Sequence, residues 1–276
     1  MRPEPADGGV QFLPGAAEAA FGVGNVIGDR TLTSGVMQTG PWSLDGDGRS
    51  CPGSLGVLID DVLGYAVVSA RPPGHWAVST EIHADFAREL PAPGAWLRAE
   101  SSAVALSVTG GVASGVVRNA AGDVIAAATE RLQFVPGEPS ALSEAGTVEP
   151  VATGGGVAPA SVTELLGARR TGSPGGAGLR FLPSEQLANP VGNLHGGVLF
   201  CAAGLAGQWA LELGAAPLVL SSVHLMFVRP IRLHAEVRLE ATAAHRGRTL
   251  GVAQVVVTDP GGRVCALATV TARGNP

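Results

Sequence analysis

The chain contains no lysine, and all 18 of its cationic side chains are arginine. Lysine Schiff-base chemistry is therefore excluded, because it needs a primary amine. Charge of either sign is scarce: charged residues make up 15% of the chain and the formal net charge is −5. There is no basic cluster and no basic stripe interleaved with aromatics, so neither nucleic acid nor a membrane surface is expected as a partner. Cysteine is limited to Cys51, Cys201 and Cys265. An odd number at wide spacing suggests neither a disulfide framework nor a metal site, and small buried hydrophobes are expected instead. No apolar run approaches the ~18 residues needed to span a bilayer. The start, MRPEPADGGVQFLPGAAEAAFG, lacks the charged and continuous apolar regions of a secretory signal. A soluble, cytoplasmic protein is the expectation. Apolar residues, at 46% of 276 positions, are abundant enough for one large domain or two ordinary ones.

The chain repeats itself. IHADFAR (Ile82 to Arg88) matches VHLMFVR (Val223 to Arg229), with His, Phe and Arg recurring 141 residues apart. GDVIAAAT (from Gly122) matches GRVCALAT (from Gly262) at an offset of 140, and GVLIDDVLGYAV lies opposite LFCAAGLAGQWAL near 144. Three segments in one order at nearly constant offset indicate a tandem duplication. Between the copies, Pro136 to Ala160 is rich in Pro, Gly, Ser and Ala without periodicity, as a linker is. The expected organisation is 1–136, a linker over 137–160, and 161–276. SVTE at Ser161 to Glu164 reads as a capping box opening a helix, VTELLGAR.

Each copy predicts a short helix or loop, then a strand (TLTSGVMQTGPWSL or GLRFLP), then a helix apolar nearly all round. Those helices are expected at about Gly53 to Val68 and about Gly196 to Glu212. Four alternating segments follow in each copy, punctuated by turns such as AAGD and DPGGR. A helix that is apolar on every side must be buried on most of them. The expected fold class is α+β: in each half, a curved antiparallel sheet wrapped around one long central helix.

The segment Asn-x-x-Gly-x-x-His-Gly-Gly, Asn189 to Gly197, resembles the signature of PaaI-like hotdog-fold acyl-CoA thioesterases. The likeness covers both copies and implies a double hotdog. In that family an acid nine positions after the His acts as general base or nucleophile. A Ser or Thr further on positions water, and the Asn side chain and a Gly amide hold the thioester carbonyl. Here position nine is Gly204, so the second copy lacks its acid. In the first copy the matching position is Asp60, with register favouring it over Asp61, while the His-Gly-Gly triplet has become Cys51-Pro52-Gly53.

Helix geometry reconciles the two halves. From Gly196 to Gly204 the rise is roughly 12 Å, too far for an acid there to reach a carbonyl held at the same helix's first turn. The acid must come from a neighbouring helix running the other way. One composite site is thus expected from Asp60, Asn189, His195 and Gly196, and its pseudo-symmetric counterpart is dead. Gly196 N–H and the Asn189 amide would polarise the carbonyl. Asp60, among Leu58, Ile59 and Val62, is expected to have a raised pKa and to serve as base or nucleophile. Ser79 would position water, with Thr80 beside it as the fallback and Ser221 as its counterpart in the dead half. His195 would orient the turn or touch the leaving group, and Gly197, Thr80 and Asp61 would line the substrate site. His83 and His224, recurring in both copies, are expected to hold a shared structural place on a strand. Arg169, Arg170, Arg246 and Arg248 read as solvated surface rather than as a phosphate site.

The expected activity is hydrolysis of an acyl-CoA or acyl-carrier-protein thioester, with no metal and no cofactor beyond the CoA of the substrate. The alternatives are a non-catalytic acyl-CoA sensor and, with its acid and His in the opposite order, a double-hotdog dehydratase. A homodimer of fused chains is a further possibility.

Overall fold

The computed structural model describes residues 10–12, 14–28, 31–137, 159–173, 176–212 and 218–274. The first half contains β1 (Val10–Phe12), α1 (Ala16–Ala20), β2 (Val26–Gly28), β3 (Thr33–Gln38) and α2 (Gly56–Val68), then β4 (His75–Phe86), β5 (Trp96–Ser107), β6 (Gly110–Asn119) and β7 (Val124–Pro136). The second contains α3 (Val162–Leu165), β8 (Arg169–Ser173), β9 (Gly176–Phe181) and α4 (Gly196–Glu212), then β10 (Leu218–Phe227), β11 (Val237–Arg246), β12 (Leu250–Thr258) and β13 (Val264–Gly274).

The strands join in one antiparallel sheet, ordered β1-β2-β3-β5-β6-β7-β4-β10-β13-β12-β11-β9-β8. Apart from β1, which has no counterpart among the described residues, that order reads alike from both ends, as a duplicated chain with a pseudo-twofold axis should. The axis falls on the β4–β10 seam, where His83 pairs with its own counterpart His224. Their rings lie 5.5 Å apart and half-exposed, so their recurrence is a structural feature of the seam.

The two long helices form the core. Within α2 only Asp60 and Tyr65 escape full burial, and within α4 only Gly196 and Glu212 do. Helices without a polar face belong between a sheet and another helix, and here they meet each other at glycines. A Cβ on Gly56 would strike the Gly197 carbonyl, and one on Gly197 would strike Gly56. Going from Gly53 to Gly56 to Asp60, the facing residues on α4 run back from Cys201 and Gly204 through Gly197 to Gly196. The helices are antiparallel.

Several boundaries differ from expectation. The turn before α2 is a 3-10 segment, Pro52–Leu55, because Pro52 fixes its own φ and brings no N–H. The helix expected over VTELLGAR stops at Leu165; Gly167, at φ +59°, turns the chain into β8. Its capping box is present, with Ser161 Oγ accepting the Glu164 N–H at 3.2 Å. The first-copy strand is confined to Thr33–Gln38, and β1, β2 and β8 are additions. Most of the expected linker, 138–158, lies outside the described residues. Among the described residues no helix is long and apolar enough to cross a membrane.

Candidate active site

The antiparallel contact brings the middle of α2 to the start of α4. Asp60 Oδ2 accepts the Gly197 N–H at 2.8 Å and lies 3.0 Å from His195 Nδ1. Its other oxygen, Oδ1, accepts the Ser79 hydroxyl at 2.9 Å. Asp60, Ser79 and His195 are thus joined across 135 residues of chain, from His195 back to Asp60. Ser79 reaches inward from β4 just before a bulge at Thr80, a device that re-aims side chains.

Around this core sit acids that sequence reasoning missed. Glu130, on β7, is buried and lies 2.6 Å from the Ser79 hydroxyl. Burial pushes its carboxyl well above the usual range, and the nearby Asp60 charge adds to that. Glu18, on α1, is buried with Oε1 3.6 Å from His195 Nε2. Asp61 Oδ1 is 3.3 Å from the same nitrogen. Burial, reinforced by Glu18, pushes the Asp61 carboxyl up to about 8. Asp61 is therefore part of the packed cluster behind the site as well as of its wall. The clue to Glu130 was in the repeat: after the matching GDVIAAAT and GRVCALAT, the first copy continues with Glu130 and the second with Val270.

The expectation for the Asp60 pKa is overturned. Burial, the largest single influence, pushes it up, but His195 alongside and hydrogen bonds with Glu130 and Ser79 together outweigh it; the carboxyl is held below its ordinary value. For His195, burial favours the neutral ring, yet Asp60, Asp61 and Glu18 together raise its pKa well above the usual histidine range.

Asn189 and Gly196 border the same cavity, of about 480 Å³. Its apolar flank runs past Tyr65, Val68, Trp76, Leu132 and Phe227. Asn189 Oδ1 accepts the Val191 and Asn193 N–H groups, so this oxygen braces the loop, while Nδ2 has no protein acceptor among the described residues. Gly196 N–H likewise has no acceptor among them. A Cβ at Gly196 would come within 2.8 Å of Asp60 Oδ2, so glycine keeps the approach open. Gly197 is a correction: it is packed against Gly56 and bonded to Asp60, away from the cavity wall. Thr80 lines the cavity with its hydroxyl turned to the Arg131 carbonyl. Among the described residues, Glu18, Asp61 and His195 offer ligand atoms within 4.8 Å of one another, the one grouping able to hold a metal ion. Arg170 stacks on Trp209 and pairs with Glu212, and Arg246 donates to the Ala210 carbonyl, both at the far end of α4.

At the pseudo-symmetric position none of Asp60, Asp61, Glu18, Glu130, Ser79 and His195 has a like counterpart. Matching backbone hydrogen bonds align His195 with Cys51 and Glu18 with Thr163. The α2–α4 offset sets Gly204 opposite Asp60 and Leu205 opposite Asp61. Strand register sets Val270 opposite Glu130. The equivalent bulge on β10 falls at Ser221, so Ser221 matches Thr80, and the counterpart of Ser79 is Leu220 rather than Ser221.

Residues 191–266 match the family model described as the thioesterase superfamily. No curated protein sequence matches the chain. Among solved structures, the tesB protein of Mycobacterium avium subs paratuberculosis is similar at TM-score 0.63 and 10% identity, covering 90% of this chain and 94% of that one. A Lactobacillus plantarum protein named as a putative oleoyl thioesterase gives 0.60 at 14%, covering 89% and 97%. A 12:0-ACP thioesterase of Umbellularia californica gives 0.58 at 11%, covering 88% and 94%. At these identities the likeness is one of fold, and it extends over both halves. The chain is a double hotdog whose second half carries the thioesterase-superfamily match.

Proposed function

We propose that the chain is a PaaI-like thioesterase that hydrolyses acyl-CoA or acyl-carrier-protein thioesters at one composite site between its halves. The observation that carries this reading is the 2.8 Å bond from the second half's Gly197 N–H to the first half's Asp60. It sets a carboxylate beside the unpaired Gly196 N–H and the Asn189 amide.

In this reading the thioester carbonyl accepts hydrogen bonds from Gly196 N–H, at the positive end of α4, and from Asn189 Nδ2. These donors stabilise the oxyanion as it forms. Water bound between Ser79 and Asp60 attacks the carbonyl carbon, and Asp60 takes its proton as general base. The Ser79 hydroxyl lies between Asp60 Oδ1, at 2.9 Å, and Glu130 Oε1, at 2.6 Å, so the two carboxyl groups together fix its position. The tetrahedral intermediate collapses with cleavage of the C–S bond. The proton gathered by Asp60 passes to the departing thiolate, giving free acid and thiol. The apolar flank of the cavity suits the acyl group.

The test is thiol release, followed with DTNB over a panel of straight-chain and aryl acyl-CoA and acyl-carrier substrates. Hydrolysis by the wild type, lost in Asp60→Asn, is the expected result. Binding of acyl-CoA without turnover would support a sensor, and hydration of an enoyl-CoA would support a dehydratase; either overturns the proposal.

A further inference from the structure

The wall of the cavity contains one arginine, Arg229, just beyond the end of β10. Its side chain is exposed, and Nη1 donates to the Val264 carbonyl. Three residues on, Arg232 is exposed as well, and its backbone bridges Asn193 in the loop that carries Asn189. Among the described residues neither guanidinium pairs with a carboxylate, and the Arg232 side chain donates no hydrogen bond.

The pseudo-symmetric end of the molecule shows what this loop could have been. Arg88 holds the same backbone place as Arg229: Ala87 and Arg88 N–H both donate to the Ile125 carbonyl, as Val228 and Arg229 N–H do to that of Cys265. The adjoining turns match too, with Asp123 N–H donating to Asn119 Oδ1 and Arg263 N–H to Asp259 Oδ1. There Asp123 pairs with Arg88 at 3.2 Å. At the cavity, Arg263 stands in the place of Asp123 and is itself held by Asp259 at 2.7 Å. Arg229 has thereby lost the carboxylate that its counterpart keeps. Arg232 has no charged counterpart either, since Pro91 and Ala92 lie at the repeat offsets of 141 and 140. Two unpaired guanidiniums are thus found at the mouth of the cavity that holds Asp60, and the matching loop elsewhere has neither feature.

We propose that Arg229 and Arg232 dock a phosphate group on the thiol portion of the substrate, where it leaves the cavity past the β10–β11 loop. This deepens the proposed hydrolysis and rests on it for the identity of the ligand. Guanidinium is suited to the task because its planar donors match phosphate oxygens in pairs and its charge is permanent. Arg263, tied to Asp259, adds positive charge beside Arg229 and offers no carboxylate that would compete with the ligand. The chemistry is shared by two sources: the nucleotide phosphates of CoA, and the phosphodiester of a carrier protein's arm.

The experiment compares one acyl group on CoA, on phosphopantetheine, on a carrier protein and on N-acetylcysteamine, which has no phosphate. Arg229→Gln and Arg232→Gln should each lower kcat/KM for phosphate-bearing substrates about tenfold, the loss residing in KM. The ratio of kcat/KM between those substrates and the N-acetylcysteamine thioester should fall with it. Added salt should raise KM for acyl-CoA, and less steeply in the variants. Asp259→Asn combined with Arg263→Asp rebuilds the turn of the other end, and by giving Arg229 a carboxylate it should raise KM as Arg229→Gln does. A loss shared by all three phosphate-bearing substrates supports the dock and assigns the arm's phosphodiester; a loss confined to acyl-CoA supports it and assigns the nucleotide phosphates. Equal losses on the N-acetylcysteamine thioester, or an unmoved KM in both arginine variants, would overturn the inference. Calorimetric titration with unacylated CoA tests the dock without turnover. CoA binding that weakens about tenfold in Arg232→Gln, in a protein that hydrolyses no thioester, would keep the dock and sink the proposed function. Hydrolysis that neither arginine variant alters would do the reverse.

Discussion

The two ends of the α2–α4 contact are the same piece of backbone used twice, and they differ in almost every polar side chain. At one end Asp60, Asp61, Glu18, Glu130, Ser79 and His195 crowd together. At the other, the space facing Gly204 is closed by Val223, Leu220 and Gly53, and Cys51 and Cys201 touch through their buried thiols. The loops leading into α4 and α2 are nearly identical: Asn189 Oδ1 and Asp45 Oδ1 each accept two backbone N–H groups, and Gly192 and Gly48 share φ +77°. At the bracing position itself, Asn189 keeps an amide donor where Asp45 has none. Backbone bracing is therefore a property of both ends, and donors and acids belong to one. The apolar end shows that the fold needs none of the buried acids, so their presence at the other end is a destabilising feature that packing alone does not explain.

The largest expected effect is on turnover. Asp60→Asn keeps the shape but removes the base, and kcat/KM should fall by about 10³-fold in the thiol-release assay. Next, the reverse change at the apolar end, Gly204→Asp, should create no second site. It would bury a charge without a partner, and urea unfolding should show a loss of about 3 kcal/mol. A second set of turnovers from a Gly204→Asp, Asp60→Asn double variant would refute the division between the ends.

Smaller effects come from exchanging residues between the ends. Glu130→Val installs the residue its counterpart carries, and kcat should fall about tenfold as Ser79 loses the carboxyl group that helps fix its hydroxyl. Stability should hold or rise by about 1 kcal/mol, because an unsatisfied buried oxygen is removed.

The pH dependence of stability follows from the same contrast. Asp61 and Glu130 have raised carboxyl pKa values, so between about 4 and about 8 the unfolded chain gives up protons that the folded one keeps. His195, also raised, loses its stabilising contribution as pH climbs through its folded value. All three make the protein less stable as pH rises, and Tm should be higher at about pH 5 than at about pH 8. Asp60, held below its ordinary value, acts oppositely, but only at pH below about 4. An Asp61→Leu, Glu130→Val variant should flatten the curve. Last, Cys51→Ala at the apolar end should leave kcat and KM unchanged, with a calorimetric Tm shift of a few degrees at most.

Much of this was legible before any coordinates. The duplication, the two apolar helices and the four-strand meanders are local or periodic features, and periodicity survives in one dimension. So is the halved machinery: His195 without an acid in one copy and Asp60 without His-Gly-Gly in the other can be read against each other once the repeat is aligned. Sequence also called for antiparallel helices, because the rise per residue is a property of the helix itself. What failed was anything set by register between distant strands. Ser221 was matched to Ser79 because they look alike in a row of letters, whereas the bulges at Thr80 and Ser221 make Leu220 the true counterpart. Glu18 and Glu130 stood in unremarkable stretches, 42 residues before Asp60 and 70 after it. The Asp60 pKa was misjudged for the same reason. Its apolar neighbours along α2 are visible in the sequence, but the imidazole and hydrogen-bonding groups that together outweigh burial arrive from the turn before α4 and from β4 and β7. The chain's own order determined which parts exist and that each half is incomplete. Only packing decided which acids share a cavity, since electrostatic coupling depends on distance in space and not along the chain.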